Sequence, residues 1–277
     1  MNKFWLLFGL LLSVSLAAAQ EFTARVVDPQ GRGIAYANIG IIGTSRGTVS
    51  DKDGYFMWPQ AVLSEEERVR ISAIGFADRN FSGFDFFSLV AKAEEISLQT
   101  RIYQMPTVNV ESSKGVVKLI GNPPNKVTAN YRVNTSLAGS EIGIKVKAPK
   151  GPYAIRKFAI HVAEIKRDRV NFRLNIYEYR GDTIGERVNT KNILLQIHQT
   201  GMNTFDLSTY NLSTQGDVFV SLEYIDYTSD ANLLLQCNLT GGTVWYKQGV
   251  QNIWQKLKRE DAGGLRIAPC YQIEVLY

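Results

Sequence analysis

The sequence predicts an all-β protein built from two β-sandwich domains in series, and two observations carry that prediction. Arg25 to Phe56 is a set of short apolar strands separated by glycine turns, RVVDPQGRGIAYANIGIIGTSRGTVSDKDGYF. Hairpin-forming glycines at this density mark a small sandwich. Further on, between Ile142 and Tyr224, apolar residues recur at every second position in four separate rows. That period belongs to antiparallel sheets with one face buried and one face polar.

The first domain can be followed strand by strand. Asp28-Pro29-Gln30-Gly31 places proline at the second turn position, where its fixed φ fits. Ala37 to Ile42 is an apolar run of strand length, closed by Gly43-Thr44-Ser45-Arg46-Gly47. Asp51-Lys52-Asp53-Gly54 then turns the chain into Tyr55-Phe56-Met57-Trp58. Val69, Ile71 and Ala73 alternate with Arg70 and Ser72, as in a half-buried strand. Phe84 to Ala93 has room for a short helix, and Ile96 and Leu98 close the sandwich.

The order of these residues resembles the carboxypeptidase regulatory-like domain, a transthyretin-like sandwich. The pattern is carried by Val26, Asp28, Gly31, Ile34, Ala37, Ile39, Gly43-Thr44, Gly47-Thr48, Asp51, Asp53-Gly54 and Phe56. Ile71-Ser72-Ala73-Ile74-Gly75-Phe76 adds a later match. The resemblance covers about residues 21 to 100 and implies an accessory domain, attached in its namesakes to a peptidase that is missing here.

Tyr103 to Val110 forms a crossing segment, and the polar stretch Glu111 to Asn125 with Pro123-Pro124 is expected to be a surface loop. The domain boundary is placed near residue 104. Beyond it, Ile142, Ile144 and Val146 form one apolar row, and Phe172, Leu174 and Ile176 a second. Val218, Val220, Leu222 and Tyr224 form a third, and Ile193, Leu195 and Ile197 a fourth. The intervening residues, among them Arg173, Asn175, Ser221 and Glu223, are expected to face outward. A sandwich or jelly-roll-like domain follows. Segments such as Phe172-Arg173-Leu174-Asn175-Ile176-Tyr177 and Val220-Ser221-Leu222-Glu223-Tyr224 resemble exported proteins of Bacteroidota-type bacteria that carry the same leading domain. That resemblance implies an architecture and brings no activity with it.

The ends and the composition bound the compartment. Lys3, the apolar run Phe4 to Leu16 and Ala17-Ala18-Ala19 have the form of a cleaved signal peptide. The run is too short to span a bilayer, which takes about 20 residues. The division is therefore signal peptide 1–19, regulatory-like sandwich 20–104 and larger antiparallel sandwich 105–277. The expected protein is exported: periplasmic, outer-membrane-associated or on the cell surface, with no transmembrane segment once the signal is removed. The formal net charge of +5 is spread along the chain rather than gathered into a stripe. Arg156-Lys157, Lys166 to Arg169 and Lys256 to Glu260 are the densest clusters, expected as solvated edges and loops. Nucleic acid is not an expected partner, since no recognisable module is present.

The search for chemistry yields little. His161-Val162-Ala163-Glu164 has the form of a zinc-ligand pair, but on a strand residues three apart point to opposite faces unless a bulge intervenes. His198 is the only other histidine, and too few ligands remain for a metal site. No G-x-S-x-G elbow is present. Asp51-x-Asp53-Gly54 lacks the glycine and glutamate positions of a calcium loop and is expected to be turn chemistry. No enzyme, cofactor or metal is therefore expected. Cys237 and Cys270 are the only cysteines. A disulfide between them would close a loop of roughly 33 residues and add about 3–4 kcal/mol; two buried free thiols are the alternative. Trp245, Tyr246 and Trp254 lie near glycine-containing loops and are the candidate ligand platform, since exposed aromatic faces stack on sugar rings. The expected function is structural or adhesive, in contact with envelope proteins or polysaccharide. Carbohydrate binding by those aromatics is the alternative.

Overall fold

The computed structural model describes residues 21–59, 63–101, 115–125, 128–133, 136–226, 233–239, 242–260 and 263–277. Among them the protein is all-β, with a single short α-helix. The expected signal peptide, the crossing segment and the boundary near residue 104 lie outside the described residues.

The first domain comprises β1 (Glu21–Val27), β2 (Asn38–Ile41), β3 (Gly47–Val49) and β4 (Tyr55–Pro59). It continues through β5 (Arg68–Ser72), β6 (Arg79–Ser82), α1 (Gly83–Ala91) and β7 (Glu95–Ser97). Two sheets result, ordered β4-β1-β7 and β3-β2-β5-β6. Their inner faces and α1 enclose a core that includes Val26, Ile39, Trp58, Ile71, Phe86 and Ile96. The helix begins where the Ser82 hydroxyl accepts the Asp85 N–H, an N-cap that satisfies one orphan donor of the first turn. Phe86 and Val90, one turn apart, face the core, and the Phe86 ring meets Trp58 edge-on at 4.8 Å. The turn before β4 uses its own acid: the Asp51 carboxylate accepts the N–H groups of Asp53 at 2.8 Å and Tyr55 at 2.9 Å. Gly54 closes it at φ +86°, where a Cβ would lie 2.4 Å from the Val26 carbonyl oxygen.

The second domain runs from β8 (Val117–Gly121) and β9 (Thr128–Arg132) to β10 (Glu141–Val146), β11 (Pro152–Ile165) and β12 (Val170–Arg180). Then come β13 (Thr183–Arg187), β14 (Ile193–Ile197), β15 (Gly201–Asp206), β16 (Leu212–Gln215) and β17 (Val218–Tyr224). Five more strands end it: β18 (Leu233–Asn238), β19 (Val244–Lys247), β20 (Gln255–Lys256), β21 (Ala268–Pro269) and β22 (Tyr271–Leu276). A seven-stranded sheet is ordered β13-β12-β17-β10-β19-β20, with β14 also on β12. An eight-stranded sheet is ordered β21-β18-β11-β22-β8, with β15 and β16 on β11 and β9 on β18. The four apolar rows all face the shared core, joined by Phe158, Ile160, Tyr271 and Ile273 from the opposite sheet.

Two expectations need correction. Residues 111–125 are not all loop, because Val117–Gly121 pairs with β22 as an edge strand. Its apolar, β-branched run favours a strand even though Val117 and Leu119 stay exposed. The outward residues Arg173, Asn175, Ser221 and Glu223 are also not in water: each is at most 1 % exposed. Tyr36 and Asn38 of the first domain meet Arg173 and Glu223, while Asn175 and Ser221 are bonded to their neighbours on the sheet.

Candidate functional site

The outer face of the seven-stranded sheet is built in rungs. Strand register puts Arg173 of β12, Glu223 of β17, Glu141 of β10 and Lys247 of β19 side by side. Two cations thus flank two carboxylates. Arg173 donates from Nε to Glu223 Oε2 at 2.8 Å and from Nη2 to Oε1 at 2.7 Å, the bidentate geometry a guanidinium favours. Lys247 Nζ lies 3.0 Å from Glu141 Oε2. Between the like charges, Asn175 Nδ2 donates to Glu141 Oε1 at 2.9 Å and to Glu223 Oε2 at 2.7 Å. Burial alone would push the Glu223 carboxyl up; the charge and hydrogen bonds of Arg173, with Lys247 and Arg187, outweigh it and hold it well below the usual carboxylate range. Burial likewise opposes the Lys247 charge, and Glu141, Tyr177 and Glu223 together raise its pKa.

This cluster joins the two domains. Arg173 Nη1 donates to the Tyr36 carbonyl at 2.7 Å and Nη2 to Asn38 Oδ1 at 2.9 Å. Asn38 Nδ2 returns a bond to Glu223 Oε1 at 2.8 Å. Tyr36 holds φ at 57°, a left-handed conformation that costs a non-glycine residue about 1–3 kcal/mol. Its carbonyl is aimed at Arg173 in return. Beside the polar contacts, Val49, Ala138, Ile225 and Val250 form a small apolar seam. Val250 sits against Gly40 and Gly47; a Cβ on either would fall 2.4 Å from its Cγ2. The Gly43 N–H donates to the Gln251 carbonyl at 3.0 Å, and Gln251 Nε2 donates to Ser72 Oγ at 3.1 Å.

The far end of the same face is aromatic. The Phe219 ring crosses Gly143, where a Cβ would stand 2.6 Å from Phe219 Cζ. Trp254 meets Phe219 edge-on at 5.1 Å and Tyr177 at 6.1 Å. Trp245 Nε1 donates to the Tyr179 hydroxyl at 3.4 Å. Lys247 stands 5.1 Å from the Trp254 ring centre and Lys256 4.9 Å from that of Trp245, so cations already occupy positions on both rings. Burial pushes the Tyr177 hydroxyl up to about 12, with Arg187 opposing and Glu141 adding.

Of the expected platform, Trp245 and Trp254 share this outer face and are half-buried. Tyr246 alternates to the inner face, packs against the main core and donates its hydroxyl to Gln255 Oε1 at 2.9 Å. Cys237 and Cys270 are free thiols, both buried, in place of a disulfide. The Cys237 Sγ is directed to the Leu235 carbonyl of its own strand at 3.7 Å. Burial raises both thiols, Cys237 to about 12 and Cys270 to about 11. A bulge does fall between Val162 and Glu164, but Glu164 pairs with Lys166 at 3.3 Å. His198 is exposed. Among the described residues no group of three or more His, Cys, Asp or Glu is placed to hold a metal ion.

Two clefts adjoin these features. One of about 390 Å³ lies at the domain junction, between Tyr36, Tyr55 and Met57 on one side and Ile225 and Asp226 on the other. Another of about 410 Å³ lies beside Trp245, between β19, β20 and the segment after it.

Residues 21–93 match the family model of the carboxypeptidase regulatory-like domain. No curated protein matches the chain. Similar solved structures include the VP2 subviral particle of infectious bursal disease virus, 10 % identical over 92 % of this chain and 62 % of that one, with a TM-score of 0.27. The Gx strain of the same virus is 9 % identical over 93 % of this chain and 55 % of that one, with a TM-score of 0.25. The chain thus spans less than two thirds of the length of either, and overlaps this low carry no argument about fold or function. The turn chemistry, the two-sheet core and the family model agree: residues 21–93 are a carboxypeptidase regulatory-like domain, of a non-catalytic domain family, leading into a second and larger β-sandwich.

Proposed function

We propose that this chain is a non-catalytic exported protein of the bacterial cell envelope, with a structural or adhesive role. In this reading the two sandwiches act as one rigid scaffold that presents loops and sheet faces to envelope proteins or polysaccharide. The observation that carries it is the seam. A buried arginine bonded to a partner carboxylate and to two residues of the other domain is costly to separate, which favours a fixed relative placement over a hinged one. The make-up of residues 1–19 supports export. The test is to express the full chain with a C-terminal tag and fractionate the cells. Processing near Ala19 and recovery with the envelope are expected; an unprocessed chain in the cytoplasm would contradict the proposal.

A second reading, carbohydrate binding, is favoured by the shared face of Trp245 and Trp254. A sugar stacked there would have to displace Lys247 and Lys256 from the rings. Loss of glycan pull-down in Trp254→Ala, with folding intact, would support this reading, and unchanged pull-down would count against it.

A further inference from the structure

The cleft beside Trp245 has a chemistry of its own. Lys256, Lys258, Arg259 and Arg266 line it, and among the described residues no acidic side chain does. Val244, Leu257, Leu265 and Ile267 supply its apolar lining. Backbone bonds shape it: the Leu257 N–H donates to the Val244 carbonyl at 2.9 Å, and the Gly264 N–H to the Arg259 carbonyl at 2.8 Å. The second of these closes the chain on itself, with Gly263 at φ +62° and Gly264 at φ +84°, and brings Leu265 and Arg266 back opposite Arg259. Lys256 is met by Asp182. Among the described residues neither Arg259 nor Arg266 makes an ion pair, and both are exposed.

We infer that this cleft binds an acidic saccharide unit, with Arg259 and Arg266 meeting its carboxylate, phosphate or sulfate group. Guanidinium groups match such oxyanions in charge and in planar geometry. The volume lies within the range of clefts that hold small ligands, about 300–1,000 Å³. The apolar lining suits the C–H face of a sugar ring, and Thr243 adds a hydroxyl to it. Lys256 stands on the Trp245 ring, but the proposed contact is made by Arg259 and Arg266, so the inference does not need the tryptophan platform.

The test is calorimetric titration of the full chain with digalacturonate, with a neutral disaccharide of the same linkage and with inorganic phosphate. Digalacturonate is expected to bind, and to weaken at least about tenfold in Arg259→Gln and in Arg266→Gln, as loss of a charge-assisted bond requires. Arg167→Gln, a surface arginine away from the cleft, is the control and should bind as the parent does. Near-ultraviolet circular dichroism checks that each variant is folded. Failure of digalacturonate to bind, binding by both cleft variants as tight as the parent's, or equally tight binding of the neutral disaccharide would overturn the inference. Phosphate binding as tightly as digalacturonate would reduce the cleft to a bare anion site and overturn its saccharide part.

Discussion

The two ends of one sheet face are buried by different means. At one end the first domain meets Arg173 and Glu223, Asn175 and Ser221 are buried beside them, and every charge there has an opposite partner. At the other end the chain covers itself, laying Trp254 across Phe219 and Tyr177. The polar end gives geometric specificity, because a guanidinium fork accepts few alternative placements of the first domain. The aromatic end gives area and tolerates adjustment. The difference separates what fixes the domains from what remains available near the surface.

The largest effect is expected from Glu223→Ala, which leaves Arg173 buried without its partner. A loss of about 3–5 kcal/mol in urea unfolding is anticipated; a loss below about 1 kcal/mol would mean that water reaches the seam. Phe219→Ala, at the aromatic end, should cost about 3 kcal/mol through the cavity it opens. If it costs more than Glu223→Ala, the ranking of the two ends is reversed.

Acid should act on the polar end first. The folded Glu223 carboxyl lies below its ordinary value of 4.5. Its contribution is therefore complete above that pH and is lost as pH falls toward the folded value, by up to about 1.4 kcal/mol per unit. Melting temperatures at successive pH values should show a shallower acid slope in Glu223→Gln than in the parent. Equal slopes would place the proton uptake elsewhere.

Smaller effects follow at half-buried or inert positions. Trp254→Ala should cost about 2 kcal/mol, since only part of the indole is removed from water. Cys237 and Cys270 should resist a thiol reagent at pH 8 in the native protein and both react in urea, because burial raises their pKa values. Failure of the pair to react even in urea would indicate a disulfide.

Much of this was legible in the residues. Asp51 to Gly54 announced its turn because each residue type there has a local reason. The rows of Phe172, Val218 and Ile193 announced their sheet because side chains on a strand alternate strictly. The same alternation turns Tyr246 away from Trp245, so the expected platform of Trp245, Tyr246 and Trp254 does not share one face. Alternation says which face a residue takes, and nothing about what covers that face. Arg173 and Glu223 therefore looked like solvent-facing charges. Phe219 on the same outward row was the available warning, since a large aromatic among outward residues asks for a cover. Gly40 carried a similar signal: a glycine inside a strand often marks close approach, here by Val250. The cleft at Arg259 and Arg266 was hidden because the Arg259–Gly264 closure that brings them together is a loop contact without periodicity.

The most direct test of the interdomain seam is a double-mutant cycle between Asn38→Ala in the first domain and Arg173→Met in the second, read by urea unfolding of the full chain. Residues in direct contact should couple by about 1 kcal/mol or more. A coupling near zero, with both single variants folded, would mean that the two domains do not meet through Arg173.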